Sequence, residues 1–134
     1  MPRFMLLQNY GQVGSGAPVI WEWKPQDMKA HIDFQIALNA ELQELGEFVD
    51  AQGLAGPEQA KFVVSDGRGA PVITDGPYPE SKELLAGYRI IEVDSLERAV
   101  EIAARASAAP GPGGVPIQDS IEVREIMCAP APEV

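Results

Sequence analysis

Gly87-Tyr88-Arg89-Ile90-Ile91-Glu92-Val93-Asp94-Ser95-Leu96-Glu97-Arg98-Ala99 passes from strand to helix in one short span. Tyr88 to Val93 reads as the centre of a strand that begins near Leu84. Asp94 stands where a helix wants an oxygen to accept its first free N–H groups, and Glu97 follows three residues later, a variant of the capping box. Beyond it Leu96, Ala99, Val100, Ala103 and Ala106 recur at helical spacing and form the stripe to be buried. Small residues on that stripe let the helix lie close to a sheet.

Working outward, the loop Ala109 to Gly114 leads to Ile121–Met127, which alternates as a half-exposed strand. In the other direction, Ala60–Ser65 and Pro71–Thr74 read as two strands joined by Asp66-Gly67-Arg68-Gly69, a hairpin connection that delivers Asp75 to the end of the sheet. Upstream, Pro25 suits a first helical turn, and Gln26 to Leu45 contains no further Pro or Gly before Gly46. Met28, Ile32, Leu38, Leu42 and Leu45 make its apolar face, with Asp27, Lys29, Glu41 and Glu44 mostly off it. Glu47 to Asp50 starts a short strand or an extended arm. Phe4 to Asn9 is the first strand.

The order is strand, helix, a strand-rich middle, helix, strand. This predicts an α+β fold of the split βαβ, ferredoxin-like kind, with an enlarged hairpin-containing middle and two helices on one face of an antiparallel sheet. The other face needs a cover. With only two amphipathic helices available, a homodimer that pairs two sheets is the natural solution.

A length of 134 residues fits one domain, read as residues 1–128 with a solvated tail over 129–134, and 46% hydrophobic residues suffice for a core. The net charge of −10 arises from 20 acids against 10 Lys and Arg, with no basic cluster. Nucleic acid and anionic membrane surfaces are therefore not expected partners. The single Cys128 has no second thiol to pair with, which fits a reducing cytoplasm. The amino-terminal apolar run is too short for a secretory signal, and no run nears the ~18 apolar residues of a membrane span.

Val72-Ile73-Thr74-Asp75-Gly76-Pro77-Tyr78-Pro79-Glu80-Ser81-Lys82-Glu83 interrupts an apolar strand with an acid, a Gly-Pro turn and a Tyr-Pro pair. Gly76 can take positive φ, while Pro77 and Pro79 stiffen the corner. Asp75 either caps its own turn or presents a carboxylate to a site. This segment, with 87–99 and the Glu122–Met127 ending, resembles the YCII-related or "DGPF" family over most of the chain. Asp75-Gly76-Pro77-Tyr78 is its motif, with Tyr where Phe is usual. The resemblance implies a ferredoxin-like fold in a dimeric α/β barrel, and a reaction that is unsettled for most members. It also implies a candidate role for Asp75 and links relatives to extracytoplasmic-function sigma factors.

His31 is the sole histidine. It either pairs with Asp27 across one helical turn or joins Asp75 in proton transfer on a small molecule, as some members of that family are thought to use a His–Asp pair; Asp75 carries over by motif, whereas His31 does not. Glu80 and Lys82 match the family's acid-x-Lys-Glu continuation, and either bind a polar ligand or close the motif as an ion pair. Tyr78 and Tyr88 either line the same cleft or pack in the core. No metal-ligand spacing, nucleophile elbow or organic cofactor motif is present. The Gly11, Gly14, Gly16 and Pro18 loop lacks phosphate-loop spacing. Trp21 and Trp23, on one side of an extended piece, line a pocket or pin that loop to the core. The competing class of function is a non-catalytic regulatory or interaction module, whose acidic surface would suit a basic protein partner.

Overall fold

β1 (Arg3–Asn9), α1 (Pro25–Glu44), β2 (Phe48–Gly53), β3 (Lys61–Val64), β4 (Val72–Asp75), β5 (Leu85–Glu92), α2 (Leu96–Ser107) and β6 (Ile121–Ile126) follow one another in the computed structural model of the protein. The structure describes residues 1–10, 20–76 and 85–127. The glycine-rich loop, Tyr78, Glu80, Lys82, Cys128 and the tail expected from Ala129 lie outside the described residues.

The main sheet has the order β2-β5-β1-β6, and every neighbouring pair is antiparallel. The unit β1-α1-β2 is thus split by β5, and β5-α2-β6 by β1, which is the ferredoxin-like α+β arrangement. The enlarged middle is real, but β3 and β4 form their own two-stranded sheet. Asp75 is therefore delivered to the end of a separate hairpin, not of the main sheet. The reason lies in the pairing: β5 has β1 on one side and β2 on the other, so it offers β4 no free edge.

Alternation along the strands assigns the two faces. Phe4, Leu6, Arg89 and Ile91 are buried, and with Val93 the four apolar ones among them pack against Leu38 and Leu42 of α1 and Ala99, Ile102, Ala103 and Ala106 of α2. Each large side chain buried there contributes roughly 1.5–3 kcal/mol. Met5, Leu7, Tyr88 and Ile90 occupy the opposite, half-buried face. No helix among the described residues is long and apolar enough to cross a membrane.

Three local expectations are corrected. The N-cap of α2 is Ser95, whose hydroxyl accepts from the Arg98 N–H at 3.2 Å; Asp94 lies one residue too early. The stripe of α2 includes Ile102, while Leu96 and Val100 are more than half exposed, because the face centred on Ala99 and Ala103 turns them outward. In α1, Ile32 and Leu45 are exposed, since the register set by buried Leu38 and Leu42 runs back to His31 and not to Ile32. Trp21 and Trp23 also part company. Ile20–Glu22 is a 3-10 turn, which leaves Trp21 nearly half exposed and edge-on to Tyr10 while Trp23 is buried. The stop at Gly46 holds: its φ is +73°, and the Glu47 N–H donates to the Leu42 carbonyl at 2.8 Å.

Candidate functional site

After β2 the chain turns through Leu54 to Gln59 and enters β3. The Leu54 N–H donates to the Ala86 carbonyl at 2.9 Å, which ties this turn to the start of β5. Between them lies an open cleft of about 440 Å³ with a predominantly apolar lining that includes Leu54, Pro57, Ala60, Phe62 and Leu85.

Gly76 packs against three residues that line this cleft, Phe62, Pro57 and Ala60. Its N–H donates to the Ala60 carbonyl at 2.8 Å. A Cβ there would stand 2.7 Å from the Phe62 ring and 3.1 Å from the Pro57 carbonyl oxygen. Glycine is thus required by close approach, and φ at this position is not positive, contrary to the expectation for the turn. One residue earlier, Asp75 is directly opposite Lys61 in the hairpin register. Its carboxylate accepts from Lys61 Nζ at 2.5 Å and is 76% exposed. Gly76 and Leu85, which bracket Tyr78, Glu80 and Lys82 in the sequence, both adjoin the cleft.

His31 is placed elsewhere, where α1 meets the loop that carries Pro110. It is buried, its Nδ1 is 3.0 Å from the Pro110 carbonyl, and its ring stands edge-on to Trp23 at 5.5 Å between centroids. Asp27 is not its partner; Gln35 is, one turn further on, with Nε2 to Nε2 at 3.4 Å. Gln35 Oε1 in turn accepts from Arg89 Nη2 at 2.7 Å, and Asn39 Oδ1 accepts from Arg89 Nε at 2.8 Å. His31, Gln35 and Asn39 recur every fourth residue, so they form one polar row along the face of α1 that meets β5. Burial pulls the Arg89 guanidinium down to about 10.

Tyr88 occupies a third place, the sheet face away from the helices. Its hydroxyl donates to Asp50 Oδ2 at 3.3 Å, and partial burial together with the Asp50 charge pushes its pKa up. Asp75, His31 and Tyr88 share no partner among the described residues. At the end of the sheet nearest Asn9, the buried Asp119 carboxylate accepts from Gln8 Nε2 at 3.2 Å. Tyr10 is pushed up by burial and by the charges of Glu58 and Asp119. Among the described residues no group of three or more His, Cys, Asp or Glu could hold a metal ion.

Gln35, Asn39, Arg89 and Asp50 escape a sequence reading, because a polar residue on a helix or strand is ordinarily assigned to solvent. The signal that could have found the first two is their spacing from His31. The family model of the YCII-related domain matches residues 3–126, from the first residue of β1 to the last of β6. No curated protein matches the chain.

Proposed function

We propose, from the premise that the chain belongs to the YCII-related domain family, that it binds a small, largely apolar molecule with one polar group in the cleft beside the Asp75–Gly76 turn. The observation that carries this reading is the shared wall: the residue after Asp75 packs on Phe62, Pro57 and Ala60, which line the cleft. Apolar lining supplies affinity, and a few polar groups at the rim supply orientation, as in ligand sites generally. Asp75 is the rim carboxylate, and the Lys61 ammonium beside it offers a counter-charge to an acidic ligand.

In this reading Asp75 takes a proton from the bound molecule, or returns one, in a lyase-like step. Tyr78, Glu80 and Lys82 belong to this reading as the ligand-facing residues of the connecting stretch. His31 enters it through the polar row, as the group that joins α1 to the Pro110 carbonyl and meets Gln35. Tyr88 and Asp50 belong to the face that, in this proposal, a second copy covers to complete a dimeric barrel. Asp75→Asn tests the site: it should weaken ligand binding or abolish turnover while the fold is kept, and unchanged binding would remove Asp75 from it.

A second reading is favoured by a different observation. Val63, Val64, Val72 and Ile73 on the hairpin are each 60–67% exposed. A two-stranded sheet with so much apolar surface suits contact with another protein chain, as an interaction module requires.

A further inference from the structure

We propose that Arg89 is the receptor for a small carboxylate, bound in the layer between α1 and the main sheet at a place separate from the cleft. Only 6% of Arg89 is exposed. A guanidinium taken that far from water ordinarily faces an acid, because an uncompensated buried charge costs several kcal/mol. Arg98 illustrates the ordinary solution in this same protein, with both Glu47 oxygens on its fork at 2.7 and 2.9 Å. Among the described residues Arg89 has no such partner. Its hydrogen bonds go to Asn39 Oδ1 and Gln35 Oε1, both neutral amide oxygens, and none of the ion pairs among the described residues includes it.

The two amides occupy Nε and Nη2 and leave Nη1 without an acceptor among the described residues. Among the described residues no fully buried side-chain polar atom lacks a partner, so Nη1 still touches solvent. Water therefore meets one edge of the fork, and that is the edge the proposal gives to the carboxylate. Gln35 and Asn39 hold the guanidinium plane fixed, which removes most of the ordering cost that a free arginine would incur on binding.

The charge count selects the ligand. One positive charge is unbalanced, and a single carboxylate balances it without adding surplus negative charge to a protein whose net charge is already −10. A planar carboxylate also matches the planar fork, and its bonds to a cation are charge-assisted. Across the sheet, Arg89 faces Leu6 on β1 and Ala51 on β2, so no acid competes from either neighbouring strand at that level.

The test uses the full chain and sodium acetate in place of sodium chloride at constant ionic strength. The buried Arg89 Nε–H gives its own NMR cross-peak, and acetate should move it saturably while raising the unfolding midpoint. Arg89→Met should weaken that stabilisation at least about tenfold, as expected for loss of a charge-assisted bond. Should Arg89→Met fail to fold, Asn39→Asp decides the matter, since it places a carboxylate on Arg89 Nε from within and should abolish the acetate response. An Arg89 cross-peak indifferent to acetate, or a response equal in wild type and Asn39→Asp, overturns the proposal. So does an effect that chloride reproduces.

Discussion

Gln35 Oε1 accepts from Arg89 Nη2 at 2.7 Å, and this contact agrees with the Pro110 carbonyl on which nitrogen of His31 carries the proton. With its oxygen committed, Gln35 presents its NH2 to His31 Nε2, which must then be the unprotonated nitrogen. Nδ1 carries the hydrogen and donates it to the Pro110 carbonyl, which can only accept. Long-range 15N–1H spectra should show the neutral Nδ1–H tautomer for His31. Gln35→Ala should leave that tautomer in place, because the Pro110 carbonyl still requires a donor on Nδ1, and an Nε2–H tautomer in wild type would contradict the network.

Glu47 and Arg98 join the start of β2 to the first turn of α2, with side chains 15% and 27% exposed. Arg98→Ala should cost about 1–3 kcal/mol in denaturant unfolding, since it strands a largely buried carboxylate. The hydrogen bond from Arg98 holds the Glu47 carboxyl below its usual range, against the opposing effect of burial. A depressed folded-state pKa stabilises fully above the unfolded value, about 4.3 for glutamate, and that stability is lost as pH falls through the folded value. Acid unfolding of Glu47→Gln should therefore be less steep below about pH 4 than that of wild type.

Gly87 is a contact glycine of a different sort. A Cβ at this position would stand 2.6 Å from the Gln52 carbonyl oxygen and 3.2 Å from Gly53 Cα, both backbone atoms of β2. Gly87→Ala should destabilise by roughly 1–3 kcal/mol, because neither strand can yield without losing ladder bonds. A thermal melt unchanged from wild type would mean that β2 does not pair with β5 as described.

Lys61 and Asp75 separate stability from function. Their ion pair is largely exposed, and such pairs contribute about 0–1 kcal/mol. Lys61→Met should leave the unfolding midpoint nearly unchanged while altering affinity for an acidic ligand in the cleft. Equal losses in both would make the pair structural.

Dimerisation through the open sheet face predicts that Leu7→Glu, at the centre of that face and opposite Tyr88 and Glu122, halves the mass seen by sedimentation. A wild-type monomer at micromolar concentration would remove the second copy from the proposal.

The strand-to-helix step at 87–99 carried most of the fold, because alternation in β5 and the small-residue stripe of α2 are both set by local periodicity. Where the reading slipped, tertiary pairing had decided. Ser95, the extended residue directly before the first turn of α2, took the place of Asp94 as cap, and β4 was excluded from the main sheet by strands distant in sequence. The site was less legible. Asp75 stands out in the sequence because a Gly-Pro turn marks it, and Gly76 was read as a glycine of conformation when it is one of space. Gln35, Asn39 and Arg89 were hidden, since only a fold that presses a polar row of α1 against β5 gives those residues a common role.

The measurement that bears most directly on the cleft is a methyl-resolved NMR titration of the full chain with a pool of small aromatic acids and phenols. Leu54, Ala55, Ala60 and Leu85 report from its lining. Saturable shifts confined to these methyls and abolished by filling the cleft with Ala60→Phe are the expected result. Methyls that stay still throughout, or shifts gathered on Val63, Val64, Val72 and Ile73 of the hairpin, would contradict a ligand cleft beside Asp75.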